Sequence, residues 1–292
     1  GAVGRGVGPG ASRGGCDRHL KKVALHTHSR FSDGTSTPED IYARAKKARL
    51  DLLILTDHDT VSGFPDLLKA AEGGTIPVRC GVEINTRRGD LVHILGYGVA
   101  WNNPEFGAHL AEFRSRRESR IERIVEKLRE HGVDLTFEEV RGASQETLGR
   151  PHVADALRRK GIVGTRQEAF KRFLTKGKPG YVEPLGPTPE EAISLIRDFG
   201  GFPVLAHPET ACDGPDWDGW VRAGLEGIEA YYGHHGPSSI NRFLDLARER
   251  GLIPTGGSDY HGPGTGREYD LGVEVPDEVM GRFLERLSKC KS

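Results

Sequence analysis

Cysteine is scarce in this chain. Cys16, Cys80, Cys212 and Cys290 stand far apart among 292 residues, and no two form a Cys-x-x-Cys pair. That spacing argues against a zinc ribbon or a dithiol redox motif, and so sparse a set suits a reducing compartment. Long apolar runs are missing too. Nothing approaches the roughly 20 residues needed to cross a bilayer, and the N-terminus lacks the apolar stretch of a secretory signal. Nor is there an excess of one charge: 41 Lys and Arg against 42 Asp and Glu leave a formal net charge of -1. No global field draws the protein to nucleic acid or to a membrane, so any anion must be held locally. A soluble cytoplasmic protein is expected, with enough chain for one large domain or two modest ones.

Residues 1–20 carry glycine, arginine and serine with almost nothing to bury. Such a segment cannot offset its ordering entropy and reads as a disordered leader. From Lys22 onward short apolar runs alternate with helical patterns. Strands are predicted at 22–26, 52–56, 78–84, 91–97, 203–206, 227–231 and 252–256, with Arg87, Arg88, Gly89 and Asp90 as a hairpin tip between the third and fourth. Helices are predicted at 38–50, 63–72, 217–223, 238–250 and 277–288. Another helix opens at a capping box from Thr188 to Glu191. Strands interleaved with helices argue for a (β/α) barrel or an open α/β sheet. Residues 101–180 break the pattern with a long charged helix at 105–131 and shorter ones at 151–160 and 166–174. That stretch reads as a helical insertion between two barrel segments, 21–100 and 181–292. The run SRRESRIERIVEKLRE within it, with its alternating signs, reads as a solvated helix face.

The chemistry gathers at strand ends. The first strand runs into His26 and His28, whose spacing of two puts both imidazoles on one side of an extended chain, with Asp33 close behind. The second ends in Asp57, His58 and Asp59. Glu83 lies in GVEI, His93 in VHILGY, His207 in LAHP, and Asp259 and His261 in GGSDYHG. One His-x-His pair is as well explained by two hydrogen-bonded histidines. Many strand-end histidines and carboxylates together are not, because unpaired buried charges are costly. In a (β/α) barrel the C-terminal strand ends meet at one mouth, where such residues form a metal site. Gly256 and Gly257 are expected to let the backbone come close to the metal-bearing turn.

HTHSRFSDGT, TDHD, GVEI, VHILGY, AHP and GSDYH resemble, in order and spacing, the motifs of the PHP (polymerase and histidinol phosphatase) family of metal-dependent phosphoesterases. GRPHVADAL and FLTKGKPGYV resemble its bacterial nucleotide-phosphoesterase branch, which holds a 3′,5′-nucleoside bisphosphate phosphatase and a 5′→3′ exoribonuclease. The resemblance implies a distorted (β/α)7 barrel with two to three divalent ions, Mn, Fe or Zn. One ion would take His26, His28, Glu83 and Asp259. A second would share Glu83 and add His93 and His207, and a third would take Asp33, His58 and His261. It further implies hydrolysis of the 3′-phosphoryl group of small nucleotides, or of short oligoribonucleotides, by a hydroxide bridging two ions.

Asp57, Arg150 and His152 are the candidate catalytic side chains besides the ligands, although Asp57 fits a ligand-orienting role as well. Arg150 and His152 in GRPH open a helix, where phosphate oxygens are favoured. With Lys178, His234 and His235 they form the expected substrate-binding set, and Tyr231 and Tyr232 are candidates to stack a base. The expected partner is a phosphate-ester small molecule, a nucleotide or short RNA, with no stable nucleic-acid complex and no membrane. The rivals are a phosphatase for histidinol phosphate or a sugar cyclic phosphate, an amidohydrolase, and a metal-stabilised module without catalysis.

Overall fold

The computed structural model describes residues 20–88, 91–142, 146–211, 214–267 and 270–290. Cys16, Cys212, the leader before Leu20, and Gly89 and Asp90 of the expected hairpin tip lie outside the described residues.

The first half of the barrel is β1 (Leu20–Ala24), α1 (Pro38–Ala48), β2 (Leu52–Leu55), α2 (Phe64–Ala71), β3 (Val78–Asn85) and β4 (His93–Tyr97). Next come α3 (Pro104–Glu130), α4 (Phe137–Arg141), α5 (Arg150–Arg159), α6 (Arg166–Ala169) and a π-helical turn at Phe170–Leu174. The chain closes with α7 (Pro189–Asp198), β5 (Phe202–Leu205), α8 (Trp217–Ala223), β6 (Gly227–Tyr232), α9 (Pro237–Arg250), β7 (Ile253–Gly257), β8 (Val273–Pro276) and α10 (Asp277–Leu287). Local chemistry sets the helix starts. Thr37 with Asp40, and Thr188 with Glu191, make reciprocal capping boxes ahead of a proline in the first turn.

The strands form one sheet in the order β7-β6-β5-β4-β3-β2-β1-β8. β7 packs against β1 and β8, and a parallel bridge between Thr27 and Tyr260 joins the chain just beyond β1 to that just beyond β7. The sheet is thus curled into a nearly closed barrel. Side chains alternate as strand geometry demands. Val23, Leu25, Ile54, Leu95, Tyr97 and Val204 belong to one buried cluster, and Ala24, Leu53, Leu55, Ile94 and Leu205 to another with the surrounding helices. Phe283 of α10 meets the rings of Tyr97 and Phe202 edge-on and plugs the end remote from His93.

One feature follows the sequence expectation and one departs from it. β4 runs antiparallel to both β3 and β5, as the hairpin expected after β3 requires. An eighth strand, β8, pairs antiparallel with β1. It is four residues long and partly exposed, so its apolar alternation is too brief to stand out.

The long helix α3 serves two cores. Phe106, Leu110 and Phe113 are buried with the barrel, whereas Ile121, Ile124, Val125 and Leu128 are buried with α4, α5 and α6. The charged run is solvated at Glu122, Arg123, Glu126, Arg129 and Glu130, as expected, but three arginines of α3 turn inward between these halves. Arg114 donates to the Asp59 carbonyl at 2.9 Å, and Arg117 donates to the Leu148 carbonyl at 2.8 Å and to Asp59 Oδ2 at 3.2 Å. Arg120 donates to the Val182 carbonyl at 2.9 and 2.6 Å. Spaced by three, these arginines share one helix face that meets backbone carbonyls at the junction.

Candidate metal centre

His26 and His28 leave the end of β1 on the same side, and both rings are fully buried. Their Nε2 atoms converge on the same two oxygens. From Glu83 Oε2 they lie 3.1 and 3.0 Å away, and from Asp259 Oδ1 3.4 and 3.2 Å. Glu83, on β3, is central: its Oε1 lies 2.9 Å from His93 Nδ1 and 3.1 Å from His207 Nε2, while His58 Nδ1 is 3.1 Å from its Oε2. Asp33 gathers a third group, with His261 Nε2 at 3.2 Å, His58 Nε2 at 3.7 Å and His28 Nδ1 at 3.9 Å. All nine residues expected at a metal site therefore meet at one end of the barrel. His93 reaches it from the beginning of its strand, since the reversed β4 starts at the mouth where its neighbours end.

Such a cluster cannot satisfy itself. Among the described residues His26 Nε2, His28 Nε2, His58 Nδ1, Asp33 Oδ1, Glu83 Oε2 and Asp259 Oδ1 are buried without a hydrogen-bond partner, although they face one another. Orphaned buried polar atoms are normally rare, and here imidazole nitrogens and carboxylate oxygens point at shared points. Three groups of ligand type result: His26, His28, Glu83, Asp259; His28, Asp33, His58, His261; and His58, Glu83, His93. These mixed N/O sets fit divalent transition ions.

Electrostatics shows the same tension. Burial would raise the carboxyl groups, yet His58, His26 and His93 hold Glu83 well below its ordinary range. His261 and His58 do the same for Asp33, and Arg267 and His26 for Asp259. Burial pulls His28 down, but Asp259 and Glu83 push it up to about 9. Outside the shared points the rings are tethered. His26 Nδ1–H donates to Glu229 at 3.0 and 3.2 Å, His261 Nδ1–H donates to the Asp259 carbonyl at 2.8 Å, and His207 Nδ1 lies 2.8 Å from Thr210 Oγ1. Fixing one ring nitrogen in this way leaves the other to bind a cation. The backbone is strained at the same place: Asp59, His207 and Asp259 have φ of 51°, 27° and 53°. Conformations of that kind cost about 1–3 kcal/mol each and persist where surrounding structure enforces them.

A PHP-domain family model matches residues 24–160. The 3′,5′-nucleoside bisphosphate phosphatase of Chromobacterium violaceum is 34% identical, over 85% of this chain and 90% of its own length. The 5′-3′ exoribonuclease Rnm of Salmonella typhimurium is 32% identical, over 88% and 91%. The crystal structure of a metal-dependent phosphoesterase from Bifidobacterium adolescentis superimposes with a TM-score of 0.82 at 30% identity, covering 90% of this chain and 96% of that one. The chain belongs to the PHP family of metal-dependent phosphoesterases.

Two residues of this PHP site escaped the sequence reading. Glu229 lies in β6, fully buried, and besides holding His26 it accepts the His207 N–H at 2.7 Å. Its one signal was an acid inside the otherwise apolar run GIEAYY. Arg267, in the loop after β7, donates to Asp259 Oδ2 at 2.7 Å, and the Tyr232 hydroxyl donates to the same oxygen at 2.9 Å. These bonds leave Asp259 Oδ1 facing the histidines. Tyr232 thus braces a carboxylate, with its hydroxyl spent on Asp259. Tyr231 packs partly buried against both apolar clusters of the barrel.

The expected catalytic and substrate residues fall in several places. Asp57 does not present a free carboxylate: Oδ1 accepts from the Ser29 N–H at 2.7 Å and the Ser32 hydroxyl at 2.6 Å, and Oδ2 accepts from the Ser29 hydroxyl at 2.7 Å. Its geometry is that of a residue holding the turn between His28 and Asp33. His152 is buried at the start of α5, where burial lowers its pKa and the Asp33 charge is near enough to oppose the shift. Its Nδ1 accepts the Gly149 N–H at 3.0 Å, so a neutral ring carries its proton on Nε2. Arg150 spans from α5 to the π-helical turn, 5.3 Å over the Phe170 ring and 3.3 Å from the Leu174 carbonyl. Lys178 is exposed in the turn that follows. His234 is exposed, its ring 5.2 Å from that of Tyr232. His235 departs from the expected substrate-binding set. Its side chain is 1% exposed, and Nδ1–H donates to the Ala230 carbonyl at 3.0 Å, so packing against Phe243 leaves it no face for a nucleotide.

Proposed function

We propose that this PHP enzyme hydrolyses the 3′-phosphoryl group of small nucleotides such as 3′,5′-bisphosphates, or the phosphodiester near the 5′ end of short oligoribonucleotides. His26, His28, Glu83 and Asp259 would hold one divalent ion, Glu83, His93 and His207 a second, and Asp33, His58 and His261 a third. Ions there would supply positive charge for the phosphate and an acidified water as nucleophile. The observation that carries this reading is the convergence of unpartnered imidazole and carboxylate atoms at the barrel mouth.

The remaining work falls to this chain's own side chains. Asp33, Glu83 and Asp259 give the cluster three negative charges, and Glu229 and Arg267 add one of each sign. Three divalent ions would therefore leave a surplus for a phosphate dianion. Residues 101–180 would act as a cap over the mouth, carrying His152 within electrostatic reach of Asp33. His152 stays neutral at pH 7 because burial lowers its pKa, so its Nε2–H can donate to a phosphate oxygen or to the departing oxygen. Arg150 would hold the second phosphate by a two-pronged contact.

The test is product analysis on the metal-loaded protein. A 3′,5′-bisphosphate should give the 5′-monophosphate and free phosphate, with a 5′-monophosphate substrate left intact. Release of the 5′-phosphate, or turnover restricted to histidinol phosphate or a cyclic sugar phosphate, would contradict the reading.

A further inference from the structure

Beside the metal cluster, on the Asp33 and His261 side, lies a hollow of about 510 Å³ between the α5–α6 junction and the loop that follows β7. A second hollow of about 640 Å³ continues from it along α1. The two share Thr35 and Pro263, so they form one groove with a common sill. That sill belongs to the site's own wall. Thr35 and Pro263 each lie two residues beyond a member of the cluster, Asp33 and His261, and the Thr35 hydroxyl donates to the Pro263 carbonyl at 2.9 Å. Arg166 ties the same wall to the cap, donating to the Asp33 carbonyl at 3.4 Å and by two bonds to Asp155.

The groove's chemistry is one-sided. Arg158, Arg159 and Arg166 line the first hollow with Asp155, and Arg44 and Lys47 line the second with Asp40. Five cations against two carboxylates leave a local surplus of three, on a chain whose formal net charge is -1. Among the described residues no aromatic side chain lines either hollow, so those residues offer bases no stacking platform. What the lining offers an anion is a surplus of guanidinium and ammonium groups, which match a run of phosphates and are blind to sequence.

We infer that this groove binds the sugar-phosphate backbone of the nucleotides downstream of the scissile phosphate, making a single-stranded oligonucleotide a better substrate than a mononucleotide. The inference rests on the phosphoesterase reading above and adds where the rest of the chain lies. Arg158 bridges Asp155 and the Gly264 carbonyl, both at 3.2 Å, which sets it over the sill between cap and barrel. Arg44 and Lys47, three apart on α1, share one helix face and would take the later phosphates.

Fluorescence anisotropy with a 5′-phosphorylated, phosphorothioate hexaribonucleotide on the metal-loaded protein tests this. The triple variant Lys47→Ala/Arg158→Ala/Arg159→Ala should bind it about tenfold or more weakly. Each lost phosphate contact flattens the log–log salt dependence by about 0.7 for a single strand, so the slope should fall by about 2. The Arg158→Lys/Arg159→Lys variant keeps the charges while losing the guanidinium bonds to the Gly264 and Glu139 carbonyls, and should retain most of the affinity. Unchanged affinity and slope in the triple variant would overturn the inference, as would a lysine pair as weak as the alanine one. Turnover of adenosine 3′,5′-bisphosphate by the unaltered protein reports on the metal site by itself. Its absence would sink the phosphoesterase reading while the anisotropy still decides the groove.

Discussion

Glu229 shows how much of a metal site lies one bond behind it. A buried carboxylate that takes His26 Nδ1–H and the His207 backbone N–H fixes one imidazole's tautomer and the other's strained main chain. Glu229→Gln keeps an acceptor for the backbone but loses the charge that polarises His26. Metal affinity measured by chelator competition should fall about 10–100-fold while the far-ultraviolet spectrum stays native. Unchanged affinity would mean that Glu229 is only a packing group. Titration of the metal-free protein probes the same residues. His28 is pushed up to about 9 in the folded state, against an ordinary value near 6.5. Folding therefore favours its proton. The stability this contributes is complete below about pH 6.5 and is lost as pH rises through about 9. Asp33, Glu83 and Asp259 are shifted the other way, so their contribution is present above the ordinary carboxylate range and disappears in acid. Thermal unfolding after chelation should peak in mildly acidic to neutral solution and decline toward pH 9.5. A profile still rising there would contradict the buried ion pairs.

Elements place these residues through their ends. β7 passes so close to β1 that a Cβ on Gly257 would lie 2.4 Å from His26 Cβ and 2.7 Å from Glu229 Oε1. Gly257→Ala should accordingly cost about 1–3 kcal/mol by overpacking and displace His26, with bound metal lost in elemental analysis. A stable alanine variant with full metal content would show that the barrel has slack at this point. The sequence made most strands legible because LLIL and FPVL are short apolar runs between polar turns. It did not reveal β8, which has four residues and partial exposure, whereas the reversal of β4 follows from the hairpin expected at residues 87–90. The arginines of α3 misled for a related reason. Their charge suggests solvent, whereas the carbonyls of Asp59, Leu148 and Val182 that satisfy them are remote in sequence. Periodicity identifies a face but not what covers it.

At the scale of the whole molecule, a barrel plugged at one end by α10 gathers candidate metal-binding side chains from β1, β2, β3, β4, β5 and β7 at the other. The residue types were legible, because histidines and acids at the ends of apolar strands have few bland explanations. Arg267 was not, since it stands outside every strand-end motif and only the fold carries its guanidinium to Asp259. The central claim is that the orphaned nitrogens and oxygens at the mouth hold divalent ions. Anomalous diffraction from crystals of the protein, recorded above and below the absorption edge of whichever metal elemental analysis finds, tests it most directly. Two or three peaks are expected, within coordination distance of Glu83 and of the histidines at 26, 28, 58, 93, 207 and 261. A mouth without peaks, or metal found only on the outer surface, would contradict it.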